Sequence, residues 1–191
     1  MNILSNLYKN INSKTTISLE DFEYLKTFFK TLTLKKKNVL ITEGENNSRL
    51  FFVEKGLLYS YKTLMNGDIQ VIQFAKENYW LSDLCSFFSG SKALFSIWAL
   101  EDCTLYYLEK KQFDRICLDY PHMETFFRLS FQAAYVTTLL RLSDIFAQET
   151  EIKYNKLKEQ DADLLQRVPQ YLIASYLGVL PSSLSRIRST K

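Results

Sequence analysis

The chain has 191 residues, 47% of them hydrophobic, and a formal net charge of +3, which suits one large domain or two small ones around a proper core. Five glycines and three prolines exclude a long flexible or low-complexity segment. No run approaches the roughly twenty apolar residues of a membrane span, and residues 1–14 lack the apolar stretch of a signal peptide. We therefore expect a cytoplasmic protein without a membrane partner.

The chain offers little of the chemistry that enzymes and metal sites need. Cys85, Cys103 and Cys117 are an odd number of widely spaced thiols in apolar surroundings, which favours buried, reduced cysteines over disulfides. A jelly-roll metalloenzyme would need several histidines where this chain has only His122. No set of nucleophile, base and oxyanion donors is recognisable. We predict a protein that is not an enzyme and has no metal and no resident cofactor.

The first predicted element is a helix over residues 17–29. Ser18 and Asp21 form a capping box at its start. Apolar residues recur at helical spacing on one side, namely at Leu19, Phe22, Leu25, Phe28 and Phe29.

The periodicity changes to that of strands near Thr31. Short runs rich in β-branched and aromatic residues follow at 32–34, 39–41, 50–53, 57–61, 69–74, 94–100 and 104–108. Turn residues separate several of them, such as KG at 55–56 and NGD at 66–68. Evenly spaced short strands of this kind predict an antiparallel jelly-roll barrel.

A short helix over 110–118 precedes the longest helical stretch, which begins at Pro121 and spans about 122–148, roughly 40 Å at 1.5 Å per residue. This stretch has two apolar lines. One line comprises Phe126, Leu129, Ala133, Val136 and Leu140. The other comprises Phe131, Tyr135, Leu139, Leu142 and Phe146. Because a barrel can cover only one line, the second is predicted to contact the same helix of a second subunit, although a helix buried wholly within one chain is the alternative.

The segment 170–188, QYLIASYLGVLPSSLSRIR, has the spacing of a helix-turn-helix motif. The first helix has one apolar face, formed by Leu172, Ile173 and Leu177. Gly178 ends it at a sharp turn that needs a positive φ, and Pro181 opens the second helix. Ala174 is small where the two helices cross, and Leu184 and Ile187 form the buried side of the second helix.

The outward side of this motif is made of hydroxyl and guanidinium groups, which bind phosphates and, for arginine, guanine in the major groove. From Leu164 onward there is no acidic residue, whereas Arg167, Arg186, Arg188 and Lys191 give a local charge of +4. The predicted DNA contacts are Gln170, Tyr171, Pro181, Ser182, Ser183, Ser185, Arg186 and Arg188. A helical hairpin that merely packs on the rest of the chain is the alternative.

Two segments in this order resemble the Crp/Fnr family of bacterial transcription regulators. VLITEGENNSRLFFVEKGLLYSYKTLMNGDIQVIQF is similar to that family's cyclic-nucleotide-binding barrel, with turn glycines at Gly44, Gly56 and Gly67. RVPQYLIASYLGVLPSSLSRIR resembles the helix-turn-helix of a branch common in Bacteroidetes. The resemblance covers about 16–188 and implies a homodimer that binds double-stranded DNA and acts with RNA polymerase.

Together these elements predict an α+β protein. A cyclic-nucleotide-binding-like barrel with its N-terminal helices spans 1–120, a long dimerisation helix 121–148, and a small helix-turn-helix domain without a full wing 149–191.

The barrel departs from the family at the site where the resemblance places the ligand phosphate. In the family a Gly-Glu pair and, about ten residues later, an arginine followed by Ser or Thr hold that phosphate. Here Ser82-Asp83 and the segment 93–96, ALFS, stand at those places, and no arginine lies between Arg49 and Arg115. Asp83 would repel a phosphate, and the flexible Lys92 cannot replace a bidentate arginine, so cyclic AMP is not expected to bind. The residues predicted to line an effector pocket are Trp80, Ser82, Asp83, Leu84, Phe95 and Ser96.

These observations predict a homodimeric DNA-binding regulator that does not respond to cyclic AMP. The alternative is a module that senses small molecules or binds partners without DNA, with a vestigial helix-turn-helix. The family's recognition helix commonly begins with Arg-Glu, whereas Pro181 and Ser182 occupy those positions here and Arg186 is the matching arginine.

Overall fold

The computed structural model describes residues 6–189. The strands are β1 (Lys30–Leu34), β2 (Val39–Ile41), β3 (Arg49–Lys55), β4 (Leu58–Thr63), β5 (Ile69–Ala75), β6 (Trp80–Leu81), β7 (Ser96–Ala99) and β8 (Cys103–Glu109). The helices are α1 (Asn6–Asn12), α2 (Leu19–Lys26), α3 (Leu84–Ser89), α4 (Lys110–Asp119), α5 (Pro121–Ala147), α6 (Thr150–Gln160), α7 (Ala162–Arg167), α8 (Gln170–Leu177) and α9 (Pro181–Ser189).

The strands form two four-stranded sheets with the orders β1-β8-β3-β6 and β2-β7-β4-β5. In the first sheet, β8 pairs antiparallel with both β1 and β3, with Leu105 opposite Leu32 and Phe51 opposite Tyr107. In the second sheet, β5 lies at the edge beside β4. This arrangement confirms the predicted antiparallel barrel-like fold.

Alternating residues of the first sheet contribute to two separate cores, because successive side chains of a strand point to opposite faces. Phe51, Val53 and Leu105 face the second sheet and pack with Leu58 and Ile97 between the two sheets. Leu50, Phe52 and Leu108 face the other way and pack under the helices, together with Leu7, Phe22, Leu25, Phe113, Ile116, Met123, Phe126 and Phe127. The helices α1, α2, α4 and the start of α5 therefore cover the outer face of this sheet.

The predicted N-terminal helix is correct in place but too long. Ser18 caps α2 by accepting a hydrogen bond from the Asp21 N–H at 3.0 Å, as the capping box predicts. The helix ends at Lys26, so Phe28 lies beyond it, and Leu19 is exposed rather than on the buried side. The patterns also did not indicate α1, which is only seven residues long.

Contacts between residues divide the chain into two compact units. One unit, the barrel unit, contains the described residues up to Ser60 and Phe74–Gln132. The other, the C-terminal unit, contains Tyr61–Gln73 and the described residues from Ala133 onward. The outer part of the β4–β5 hairpin thus belongs with the C-terminal helices, although its strands continue into the barrel unit.

The cysteines are free thiols; Cys103 is buried as predicted, whereas Cys117 is only half-buried. Burial raises the pKa of Cys103 and that of Cys117 to about 11, which leaves both thiols protonated and unreactive at neutral pH. The prediction was wrong for Cys85, which lies exposed on α3. Within residues 6–189 no three metal-ligating side chains converge, and no helix is long and apolar enough to cross a bilayer.

The turn between β3 and β4 allows a test of this packing. Gly56 has a φ of +101°, and a Cβ added there would lie 2.6 Å from Cys103 Sγ and 2.7 Å from the Asp102 carbonyl oxygen. We expect Gly56→Ala to lower the free energy of unfolding by about 2–5 kcal/mol, since overpacking adds to backbone strain. Gly67→Ala is the matched control, because Gly67 has a φ of +86° but no neighbouring atom within 4 Å, so only about 1–2 kcal/mol of strain is expected. Equal losses of the two variants in urea unfolding would contradict the close approach at Gly56.

Candidate nucleic-acid interface and effector site

The helix-turn-helix motif forms as the sequence indicates. Gly178 caps α8 in the left-handed conformation with φ 65° and ψ 40°. The Val179 N–H closes the turn on the Ala174 carbonyl at 3.0 Å. Pro181 then begins α9, and the Leu184 N–H bonds to the Leu180 carbonyl at 3.2 Å.

The two helices of the motif share a small core with α6. Ala174 and Leu184 are fully buried where the helices meet, so the small side chain at 174 permits the close crossing. Tyr154 and Leu157 of α6 are buried, and α6 contacts both α8 and α9. Ile187, predicted to be buried, is only half-buried.

The exposed side of α9 consists of the predicted polar residues. At about 100° per residue, Arg186 and Ser182 lie roughly opposite the buried Leu184. Arg188 lies on the flank of the helix, about 40° from the Leu184 line. All three are exposed, as are Pro181 and Ser185, whereas Ser183 is half-buried. The helix therefore offers one outward face and one charged flank.

The start of α8 has no side-chain cap, because Pro169 occupies the N-cap position. Tyr171 is exposed and Gln170 is half-buried at this end. Uncapped N–H groups at a helix start are suited to a phosphate oxygen. Gln170 and Tyr171, both predicted to contact DNA, thus lie at a helix start that is suited to binding a phosphate.

The predicted charge of +4 is partly compensated in the structure. Arg167 forms an ion pair with Asp163 at 3.1 Å, and Asp163 lies just before the segment that has no acidic residue. Lys191 lies outside the described residues. The other two arginines of this segment, Arg186 and Arg188, both lie on α9.

The sequence patterns did not indicate which residues of α5 contact α8. Arg141 of α5 donates a hydrogen bond to the Tyr176 carbonyl at 3.1 Å, and its guanidinium lies 4.6 Å from the Tyr176 ring centroid. A Cβ at Gly178 would lie 3.2 Å from Ile145 Cγ2, so glycine also permits close packing on α5. Lys156 of α6 pairs with Asp144 at 2.7 Å. One face of the second half of α5 thus binds the helix-turn-helix.

A second set of contacts, which we call the Ser175 clasp, joins α8 to the β4–β5 hairpin. The Ser175 hydroxyl accepts a hydrogen bond from the Val71 N–H at 2.8 Å and donates one to the Ile69 carbonyl at 2.9 Å. The Gln70 side-chain amide donates to the Ser175 carbonyl. No local pattern could have indicated partners more than one hundred residues apart in the chain.

The apolar lines of α5 are only partly as predicted. Only Met123, Phe126 and Phe127 of this helix are buried. Phe131, predicted at the dimer interface, instead packs within its own chain, with its ring centroid 5.5 Å from that of Phe88. Beyond it both lines are exposed, at Tyr135, Val136, Leu139, Leu140, Leu142 and Phe146. The unpartnered apolar surface is therefore wider than the single predicted line.

Asp83 lies at the place that the resemblance assigns to a ligand's phosphate, and its carboxylate is already bound by the chain. It is fully buried and accepts hydrogen bonds from the Ser86 N–H at 2.8 Å, the Leu94 N–H at 2.6 Å and the Phe95 N–H at 3.0 Å. Through these bonds the Asp83 side chain caps α3 and ties it to the loop before β7. An anion arriving here would meet a buried negative charge and N–H groups that are already engaged.

The other predicted effector residues do not converge on one pocket. Trp80 was predicted to line an effector pocket, but it packs in the core under the helices, with its ring centroid 5.1 Å from that of Phe127, and its Nε1 donates to Asn10. Ser82 bonds to Asn47 and to the Arg49 carbonyl. Ser96 is buried and accepts from the Glu43 N–H, Leu84 is exposed, and Phe95 is half-buried.

A cavity of about 330 Å³ lies elsewhere on the barrel unit, lined by Thr27, Phe28, Lys30, Lys111, Gln112 and Arg115. Two of its three cations are already paired, Lys30 with Glu109 at 2.8 Å and Arg115 with Asp119 at 3.2 Å. None of the predicted effector residues lines this cavity, so it is not the predicted effector pocket.

Known proteins share this architecture. Residues 31–120 match the model of the cyclic nucleotide-binding domain family. FixK2 from Bradyrhizobium japonicum superposes with a TM-score of 0.74 at 16% identity, over 85% of this chain and 83% of that one. The c-di-GMP responsive global regulator CLP from Xanthomonas campestris gives a TM-score of 0.74 at 10% identity over 91% of each chain. The Thermus thermophilus catabolite activator protein gives 0.59 at 14% identity, over 95% of this chain and 85% of that one. No curated protein sequence matches the chain.

The chain therefore contains a cyclic nucleotide-binding fold followed by a long helix and C-terminal helices, as do solved Crp/Fnr-family regulators. This agrees with the family resemblance drawn from the sequence. The narrower assignment to a branch common in Bacteroidetes stays a prediction.

Proposed function

We propose that the protein is a homodimeric, DNA-binding transcription regulator of the Crp/Fnr type that does not respond to cyclic AMP. The observation that carries the proposal is the exposed face of α9, which presents Ser182, Ser185 and Arg186 on a helix anchored by the buried Leu184. RNA polymerase, the protein partner that such a function implies, stays a prediction from the resemblance.

The positions of the two arginines on α9 support different roles. Arg186 lies opposite the buried anchor, which is the side that enters the major groove in helix-turn-helix proteins, so we assign it to a base edge. Arg188 lies on the flank, so we assign it to the phosphate backbone, with Ser183. Gln170 and Tyr171 at the open end of α8 are assigned to phosphates as well.

The exposed apolar surface of α5 supports the homodimer. Tyr135, Leu139, Leu142 and Phe146 follow one another in steps of four, three and four residues, the spacing of a coiled-coil seam. Tyr135 is 65% exposed and Phe146 is 81% exposed, which is costly for a helix in water. A second copy of α5 related by a two-fold axis would cover this seam and bring two α9 helices to one DNA site.

The closed surroundings of Asp83 support the proposal that cyclic AMP is not an effector. A cyclic phosphate needs N–H donors and a cation, and here a buried carboxylate holds the donors. We expect millimolar cyclic AMP to leave the melting temperature unchanged. Binding at a hundredfold excess over the dissociation constant would add about 2.7 kcal/mol, so an upward shift in a thermal melt would disprove this expectation.

The dimer seam can be tested by charge. Leu139→Glu combined with Leu142→Glu should give monomers in sedimentation at micromolar concentration, because four carboxylates would meet in an apolar interface, and tight operator binding should be lost. Leu19→Glu with Leu118→Glu adds the same charge at two exposed leucines of the barrel unit, away from α5, and should leave the dimer intact. A folded wild-type monomer at this concentration would rule out the proposed interface.

The DNA-reading face makes a sharper prediction. Arg186→Ala should cost about 1–3 kcal/mol for the preferred site and relax discrimination at one base pair, because a bidentate guanine contact is lost. Arg188→Ala should weaken all sequences alike and reduce the salt slope by about 1 per subunit. Both effects are measured by salt-titrated binding to promoter fragments.

Arg115→Ala is the control for these variants, since Arg115 lies on α4 and pairs with Asp119. It should leave binding unchanged. If the wild type shows no salt-dependent DNA binding at about 50 mM salt, or if neither α9 variant alters it, the module without DNA-binding function becomes the better interpretation.

A further inference from the structure

The Ser175 clasp uses backbone groups that a sheet normally satisfies with another strand. Because β5 lies at the edge of its sheet, groups of its outer side lack a strand partner. The Ser175 hydroxyl bonds to both the Val71 N–H and the Ile69 carbonyl. Val71 is fully buried, so water cannot replace the hydroxyl at its N–H without local opening. The helix α8 thus supplies hydrogen bonds to β5 that a neighbouring strand would otherwise make.

The adjacent residue of α8 is held from a different element. Tyr176 receives the Arg141 hydrogen bond through its carbonyl and the Arg141 guanidinium on its ring. Consecutive residues of α8 therefore bind the hairpin and α5. A rigid helix with two such attachments transmits a displacement of either element to α9, because α8 and α9 share the buried contact between Ala174 and Leu184.

The hairpin is also continuous with the barrel. Residues 58–60 of β4 and 74–75 of β5 belong to the barrel unit, whereas Tyr61–Gln73 belongs to the C-terminal unit. The strands β4 and β5 therefore connect the barrel unit covalently to the part of the hairpin that bonds to Ser175. This connection is separate from the one through α5.

We propose that Ser175 is a positioning residue for DNA reading: its hydroxyl sets the orientation of α8 and α9 on the β4–β5 hairpin. This inference rests on the DNA-binding function proposed above. A hydroxyl is required because the same group must accept from one backbone group and donate to another. The substitution Ser175→Thr would keep both bonds, whereas Ser175→Ala would lose both.

The first experiment needs no DNA. We expect Ser175→Ala to speed amide hydrogen exchange in the hairpin around Val71 and in α8 by about tenfold, which corresponds to about 1.4 kcal/mol, while β3 and β8 stay unchanged. Ser175→Thr should restore slow exchange. Ser13→Ala is the matched control, because it loses one local bond to the Asn10 carbonyl and touches neither element.

The second experiment separates positioning from simple loss of structure. Operator fragments carry two half-sites one helical turn apart or with one or two base pairs added or removed, and a further fragment carries one half-site. Ser175→Ala should lower the preference for the best spacing by roughly tenfold, whereas binding to the single half-site should stay within about twofold of wild type. Ser175→Thr should keep the wild-type preference.

Each result decides a separate point. Unchanged exchange in Ser175→Ala overturns the clasp. Faster exchange with an unchanged spacing preference, or an equal loss on the single half-site, shows a merely structural contact and overturns the positioning role. A wild type that binds none of the fragments overturns the proposed function together with the DNA-reading role. Amide hydrogen exchange then still shows whether the hairpin and α8 open as one element.

Discussion

The apolar surface of α5 is the constraint on which the other parts of the molecule depend. Its first turns are buried through Met123, Phe126 and Phe127 in the core under the first sheet. Its second half binds the helix-turn-helix through Arg141 and Ile145. Further apolar side chains of this helix are exposed, at Tyr135, Val136, Leu139, Leu140, Leu142 and Phe146, and exposed apolar area of this extent favours association. The single helix α5 therefore connects the core of the barrel unit, the helix-turn-helix and the proposed dimer seam.

Asp83 occupies the place in the barrel to which the family resemblance assigns a ligand phosphate. Three backbone N–H groups around Asp83 still point to one place, and a buried carboxylate satisfies them. Removing an anion from such a cradle would leave unpaired buried donors, so a side chain that supplies the negative charge stabilises the fold by itself. In the proposed function, the same carboxylate keeps a phosphate out of this place.

The helix-turn-helix is small, and its geometry depends on neighbours outside the motif. Leu184 and Ala174 hold the two helices together, but α6, α5 and the hairpin determine where the pair points. Two arginines alone would provide only a weak, sequence-independent attraction to DNA. In the proposed function, discrimination between sites requires that Arg186 of each subunit arrive at its base at a fixed spacing, which would be a property of the whole C-terminal unit.

Local patterns in the sequence determined the elements, because strand alternation, helix periodicity and turn glycines depend on neighbours within a few residues. The strands other than β6, α4, α5, the capping box at Ser18 and the turn at Gly178 were predictable for this reason, and the motif spacing indicated which face of α9 is outward. The tertiary structure decided what is distant in the chain: Trp80 on the outer face, Phe131 against Phe88, the occupied N–H groups around Asp83, and Ser175 on β5. Burial and long-range hydrogen bonding depend on which surfaces meet, and no local period encodes that choice.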